Sequence, residues 1–434
     1  MATVNWAEMT VAEQSAVLER PSVSAGGKTL KTVRRIVDRV REEGDSALYE
    51  FTETLDGVAL ESLKVDSLEF SDAELSLRFE DREAILHAIE NIRCFHEADM
   101  PTEVDIQTSP GVRCQRLTRP IEAVGLYVPA GTAPLPSAAM MLSIPADIAG
   151  CPTRVLCSPP NKDGKIDPAI LFAAYESGVR DVYKVGGAQA IAAMAYGTES
   201  MPKVDKIFGP GNAFVTAAKA LVAADPKGAA QDMPAGPSEV LVIADKSANP
   251  AYVAADLLSQ AEHGPDSQVV LLTESAQLVE HVVLAIEQQL NTLSRADTIR
   301  ASLAHSALIV VPNIDEAMTI SNAYAPEHLI INTQNARDRL SQVSAAGSVF
   351  LGALTPESLG DYCSGTNHVL PTYGYARNYS GLDVAQFTTR MSVQEVSVEG
   401  LGNIGPTARR LADLEGLDAH ELAVRIRMES NDVD

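Results

Sequence analysis

Histidine, cysteine and aromatic residues are scarce in this 434-residue chain, and basic residues are outnumbered by acidic ones. There are 8 histidines, 5 cysteines, 1 tryptophan and 5% aromatic residues, with 34 Lys and Arg facing 58 Asp and Glu. The formal charge of −24 argues against a nucleic-acid partner, because a phosphate backbone is held by basic patches. The cysteines at 94, 114, 151, 157 and 363 are odd in number and form no CxxC. Neither a zinc ribbon nor a closed disulfide framework is therefore indicated, and reduced thiols are expected. Every apolar run is broken by Pro, Gly or charge short of membrane-spanning length, and the opening MATVNWAEMTVAEQ has neither a basic segment nor an apolar core. A cytoplasmic protein that handles small molecules, with no membrane partner, is the expectation. The HExxH of zinc hydrolases and the GxGxxG of the dinucleotide fingerprint are both missing.

What is present is a repeated alternation of apolar β-rich runs with helical ones. EAVGLYV, RVLCSPP, DVYKV and KIFG are each followed by an Ala-rich stretch such as QAIAAMAYG. SEVLVIAD, SQVVLLT, SALIVV, HLIIN and SVFLG repeat the pattern further on. This is the signature of parallel α/β sheets, and it predicts two Rossmann-like domains, 119–236 and 237–381. The Pro/Gly-punctuated DMPAGPSE at 232–239 falls between them, where a crevice is expected. Residues 1–25 read as an arm. Residues 26–118 read as helical, with apolar residues at three- and four-residue intervals, and are expected to pack on the second sheet. Residues 382–434 read as a helical tail too poor in apolar surface for its own core, so it must dock on something.

Three polar strings hold most of the chemistry: LLSQAEHGPDSQ at 257–268, APEHL at 325–329 and GDYCSGTNHVLPTYGYA at 360–376. Gln260 and His263, three apart on one helix, point at the same neighbour and can grip one ion. Glu327 and His328 set a carboxylate beside an imidazole, the commonest proton-transfer groups. Taken alone, an EH pair also fits a solvated helix end, and His263 also fits a helix C-terminus, where the dipole favours a cation. Asp418 in DAHE likewise reads as an N-cap with Glu421 as its box partner. Two turns, KVGGAQA at 184–190 and FGPGNAF at 208–214, fit a pyrophosphate site loosely and a plain structural turn equally well. Cys363 admits a thiolate nucleophile, or simply fills space.

The strings RPIEAVGLYVPAGTAPLPS, VGGAQAIAAMAYGTESMPKVDKIFGPGNAFVTAAK, DMPAGPSEVLVIAD and the tail LDAH resemble histidinol dehydrogenases, zinc- and NAD-dependent enzymes that complete histidine biosynthesis. The resemblance runs almost unbroken from Arg119 to Tyr375 and is loose over the first hundred residues. It implies zinc held by Gln260, His263, Asp361 and His420, and NAD contacted by Tyr127, Gln189 and Asn212. It implies catalysis by Glu327 and His328. Substrate contacts would come from Ser238, His368 and Glu415, together with Gln260, His263, His328, Asp361 and His420. The implied reaction takes L-histidinol through an aldehyde to L-histidine with two NAD+, each half removing a hydride.

His328 is then expected as base in both steps and Glu327 as the carboxylate that activates water. A tail without a core, carrying His420 and Glu415 far in sequence from the other ligands, predicts a homodimer with sites shared between subunits. A zinc hydrolase and a binding module derived from the enzyme fold are the rivals. The first lacks HExxH, and the second predicts a broken ligand set. His87, His96, His281 and His305 are assigned no role.

Overall fold

The computed structural model describes residues 1–21, 27–130, 133–234 and 236–431. Fourteen strands occur among these residues: β1 (Ala2–Asn5), β2 (Val104–Ser109), β3 (Val112–Pro120), β4 (Ala123–Tyr127), β5 (Thr153–Cys157), β6 (Asp181–Tyr183), β7 (Lys206–Phe208), β8 (Ala230–Gln231), β9 (Glu239–Ala244), β10 (Gln268–Thr273), β11 (Ala307–Val310), β12 (His328–Asn332), β13 (Ser348–Leu351) and β14 (Thr388–Val396). They form a five-stranded parallel sheet in the order β6-β5-β4-β7-β8 and a six-stranded parallel sheet in the order β1-β11-β10-β9-β12-β13. The third sheet, β14-β3-β2, is antiparallel. The two expected α/β sheets are present.

β9 and β10 are buried at every residue, as strands covered on both faces must be, and they read as near-continuous apolar runs. One face of the six-stranded sheet packs against helices Pro250–Ala261, Ala276–Leu290 and Ala296–Leu303, the other against helix Ile314–Tyr324.

The N-terminal helices do not cover the second sheet as expected. They form an outer layer on the first. Val33, Ile36, Val37 and Val40 of helix Gly27–Glu43 join the core that holds Ala190, Ile191 and Val215, while Ile85, Ile89 and Ile92 of helix Phe79–Ala98 join Met141, Leu142 and Phe172. The cause lies in the helices beneath. In helix Gly187–Tyr196 every residue from Ala188 to Ala195 is buried, and a helix apolar all round needs cover on its outer side too.

Two further expectations change. Residues 26–118 are not helical throughout, because β2 and the first part of β3 lie within them, joined by a turn at Pro110 and Gly111. The tail is not purely helical either: β14 pairs with β3 over its whole length, from Thr388 opposite Pro120 to Val396 opposite Val112. The tail ends in two helices, Val398–Glu415 and Asp418–Asn431, that pack on each other. Gly405 lies so close to Met428 that an added Cβ would fall 2.7 Å from its sulfur. No helix among the described residues is long and apolar enough to cross a membrane.

Candidate active site

Residues 232–238 join the carboxyl end of the first sheet, at β8, to the amino end of the second, at β9. Sequence-predicted residues gather at these two ends. His328 opens β12, in register with Val240 of β9, and is buried, as is Glu327. Helix Pro250–Ala261 returns antiparallel to the strands between β9 and β10, which brings Gln260 and His263 to the same end. Asp361 lies on the short helix Glu357–Tyr362.

The Glu327–His328 pair is held through Oε2 of Glu327 and Nδ1 of His328. Oε2 of Glu327 accepts the Glu239 N–H at 2.7 Å. Nδ1 of His328 lies 3.1 Å from the Glu239 carbonyl and 3.5 Å from Glu327 Oε2. A carbonyl only accepts, so Nδ1 carries a proton whatever the ring's charge, and in the neutral ring the lone pair lies on Nε2. Nε2 makes no well-aligned hydrogen bond and has Asp361 Oδ1 3.4 Å away. Glu327 itself is approached closely from behind: a Cβ on Gly347 would fall 2.6 Å from the Glu327 carbonyl oxygen, so only glycine fits there.

Charge is concentrated here. Burial pushes the Glu327 carboxyl above its ordinary pKa, against the opposing pull of His328 and the Glu239 N–H. Desolvation disfavours a charged His328, yet the Glu327 and Asp361 carboxylates outweigh it and raise the ring's pKa well above the ordinary value. Asp361 moves the other way. Its burial cost is exceeded by the pull of the nearby His328 ring, with His368 and His263 adding to it. His263 is exposed at the rim and close enough to Asp361 for their charges to interact. His368 has a buried Nε2 without a hydrogen-bond partner, and desolvation lowers its pKa.

Glu357 was not anticipated from the sequence. It is buried one helical turn before Asp361, and burial pushes its pKa to about 8. It accepts the Ser259 hydroxyl at 2.8 Å. With the Gln260 amide turned so that both ends are satisfied, its nitrogen donates to Glu357 at 2.8 Å and its oxygen lies 3.1 Å from the Glu239 nitrogen. The four-residue spacing of Glu357 and Asp361 was the available signal, masked by the ordinary preference for acids in a helix's first turn. Asp256, buried one turn before Gln260, has its pKa raised to about 7 by desolvation.

Gln260, His263 and Asp361 thus share one end of the second sheet, with oxygen and nitrogen donors and no thiolate. The unsatisfied ring nitrogens of His328 and His368 beside Asp361 are what a polar cavity built around a cation and a polar substrate would leave. His420 and Glu415 are not brought to it within the chain. Both are exposed on the tail's helices, of which Val398–Glu415 packs against β2 and β14, and no three His, Cys, Asp or Glu side chains among the described residues converge as a metal site. Asp418 lies inside its helix and is not the cap; Glu421 instead pairs with Arg409 and Arg425. Ser238 directly precedes Glu239 and is half-buried.

The cofactor candidates lie at the carboxyl end of the first sheet. Tyr127 ends β4, buried, with its hydroxyl accepting the Gly187 N–H at 3.0 Å; Gln189 is buried two residues further on. Asn212 is exposed and uses its side-chain oxygen to cap helix Ala213–Ala223, accepting from Phe214 and Val215. The turn before it is clamped. The Gly209 N–H donates to Asp232 at 2.8 Å, its carbonyl accepts from Lys219 at 2.9 Å, and Lys219 and Asp232 pair with each other. Gly209 has φ +120°, and a Cβ there would lie 2.2 Å from the Tyr127 carbonyl oxygen, so no other residue fits.

Comparison with known proteins places the chain in a family. The histidinol dehydrogenase family model matches residues 19–428. The chain is 54% identical over 429 residues to a histidinol dehydrogenase of Vibrio parahaemolyticus and 56% identical over 428 residues to one of Xanthomonas axonopodis pv. citri, covering 99% of each chain in both cases. It superposes on the crystal structure of histidinol dehydrogenase from Elizabethkingia anophelis with a TM-score of 0.96 at 45% identity, over 100% of this chain and 99% of that one. The chain belongs to the histidinol dehydrogenase family of oxidoreductases.

Proposed function

We propose that the protein oxidises L-histidinol to L-histidine through L-histidinaldehyde, consuming two NAD+ and one water, as the last steps of histidine biosynthesis. The observation that carries this reading is the buried Glu327–His328 pair, with the His328 Nε2 left unsatisfied beside Asp361. Gln260, His263 and Asp361, with His420 of the partner subunit, would hold zinc, which when bound offsets the charge of Asp361 and orients the imidazole and amine nitrogens of the substrate. NAD, bound across Tyr127, Gln189 and Asn212, supplies the hydride acceptor in both steps.

The chain's own residues move the protons. In the alcohol step, Nε2 of His328 takes the hydroxyl proton as a hydride leaves the same carbon, giving the aldehyde. In the aldehyde step, Glu327 takes a proton from the water that adds to the carbonyl, helped by a pKa raised toward the working range. His328 then takes a hydroxyl proton of the hydrate as the second hydride leaves. Ser238 and His368 contact the substrate, and Glu415 of the partner subunit meets its amine.

A homodimer with shared sites follows from the tail. Val398, Leu411, Leu414, Leu422 and Ile426 are exposed on its two helices, an apolar face that suits burial against a second copy. The function is tested by following NADH absorbance with histidinol and NAD, before and after chelation. Activity lost to chelator and restored by zinc is expected; no NADH in the zinc-loaded protein would rule the reading out.

A further inference from the structure

Glu239 carries the reacting pair on its backbone, through the Glu327 bond to its N–H and the His328 contact to its carbonyl. Its side chain is 2% exposed and is gripped from elsewhere. Arg20, 219 residues earlier, donates Nε to Oε1 at 2.5 Å and Nη2 to Oε2 at 2.9 Å, a two-pronged bond that fixes the plane of the carboxylate. The Tyr373 N–H completes the set at 2.7 Å.

Arg20 does more than neutralise this charge. Its Nη2 also donates to the carbonyls of Tyr324 at 2.9 Å and Ala325 at 3.4 Å, and its guanidinium lies 3.8 Å over the Tyr324 ring. Ala325 and Tyr373 are the non-glycine residues with positive φ among those described, at 53° and 60°. Such conformations persist only where the surroundings enforce them. Ala325 forms the turn that presents Pro326, Glu327 and His328. Tyr373 lies in the loop that follows the helix of Asp361 and carries His368, and its hydroxyl bonds back to the carbonyl of Pro21, next to Arg20. One arginine of the N-terminal arm therefore ties together the strand, the turn and the loop on which the site is built.

We propose that Arg20 is a positioning residue: through Glu239 it sets the placement of Glu327 and His328 against Asp361, and so governs turnover more than substrate affinity. The proposal rests on Glu327 and His328 being the reacting pair. A purely structural ion pair would alter how much protein folds and leave the turnover of each folded molecule unchanged.

The test uses the full-length, zinc-loaded protein. In Arg20→Ala, kcat per folded enzyme is expected to fall about 10- to 100-fold, with KM for histidinol within about twofold of the parent. Arg20→Lys should fall in between, because an ammonium cannot bridge both carboxylate oxygens and both carbonyls. Guanidinium ion below denaturing concentration should restore part of the turnover of Arg20→Ala and none of that of His328→Asn. Should Arg20→Ala not fold, the Arg20→Ala/Glu239→Gln protein leaves no unpaired buried charge and is expected to show the same loss of kcat. Parental kcat in the folded fraction of either protein, with only its melting temperature lowered, overturns the proposal. Parental turnover in His328→Asn would instead remove the catalytic assignment beneath it, an outcome that this control alone reports.

Discussion

Nε2 of His328 stands 3.4 Å from an oxygen of Asp361, while the opposite ring nitrogen faces the Glu239 carbonyl. The ring is therefore held in one orientation, with Nε2 toward Asp361. His328→Asn should slow histidinol oxidation and histidinal oxidation alike, by about 100-fold or more. Glu327→Gln should slow histidinal oxidation by a similar factor and histidinol oxidation far less, because only the aldehyde step adds water. Feeding each substrate separately measures the two steps. Equal losses in both steps for Glu327→Gln would contradict the division of labour.

Asp256 links the site to pH. Its pKa is about 7 in the folded chain and 3.8 ordinarily, so between these values the folded state holds a proton that the unfolded state has lost. Stability must then fall as pH rises from about 4 to about 7. Asp256→Asn should flatten that fall, raising the melting temperature at pH 7.5 by a few degrees and leaving it unchanged near pH 4, with chelator present throughout. Glu357 contributes a slope of the same sign up to about pH 8, so some decline should remain. An unaltered difference between the two pH values would show that Asp256 is not buried in its protonated form.

Much of this arrangement was legible in the sequence, and the omissions have physical causes. Apolar runs such as VLVIA and VVLLT announce strands covered on both faces. β2 and β3 were missed because most of their side chains are exposed or half-exposed, which erases the in-and-out alternation of a half-buried strand. The periodicity of helix Gly27–Glu43 revealed its buried face but not the sheet it would cover. Glu327 and His328 stood out as neighbours in a histidine-poor chain. Arg20 and Glu239 did not, since nothing local relates residues 219 apart. His420 was singled out only through the family resemblance, and in one chain it is solvent-exposed.

The clamp on Gly209 predicts an effect that falls mainly on the cofactor. Lys219→Met removes the bond to the Gly209 carbonyl and leaves Asp232 unpaired, which frees the turn that ends at Asn212. KM for NAD should rise about tenfold, with a smaller change in KM for histidinol. Equal rises for both substrates would contradict a cofactor role for this turn.

Site sharing is decided by complementation. His263→Asn and His420→Asn should each lower zinc content and activity together. When both chains are co-expressed, half of the randomly paired dimers are mixed, and a mixed dimer has one site with both lesions and one with none. Roughly a quarter of parental activity should return. Activity that stayed at the single-mutant level would mean that the tail serves its own chain.

We propose that one site carries histidinol through both oxidations to histidine. The most direct test is the stoichiometry of NADH under limiting histidinol, with the zinc-loaded protein and excess NAD. Two NADH and one histidine per histidinol are expected, without accumulated aldehyde. One NADH per histidinol, with histidinaldehyde as the final product, would mean that the site stops at the aldehyde.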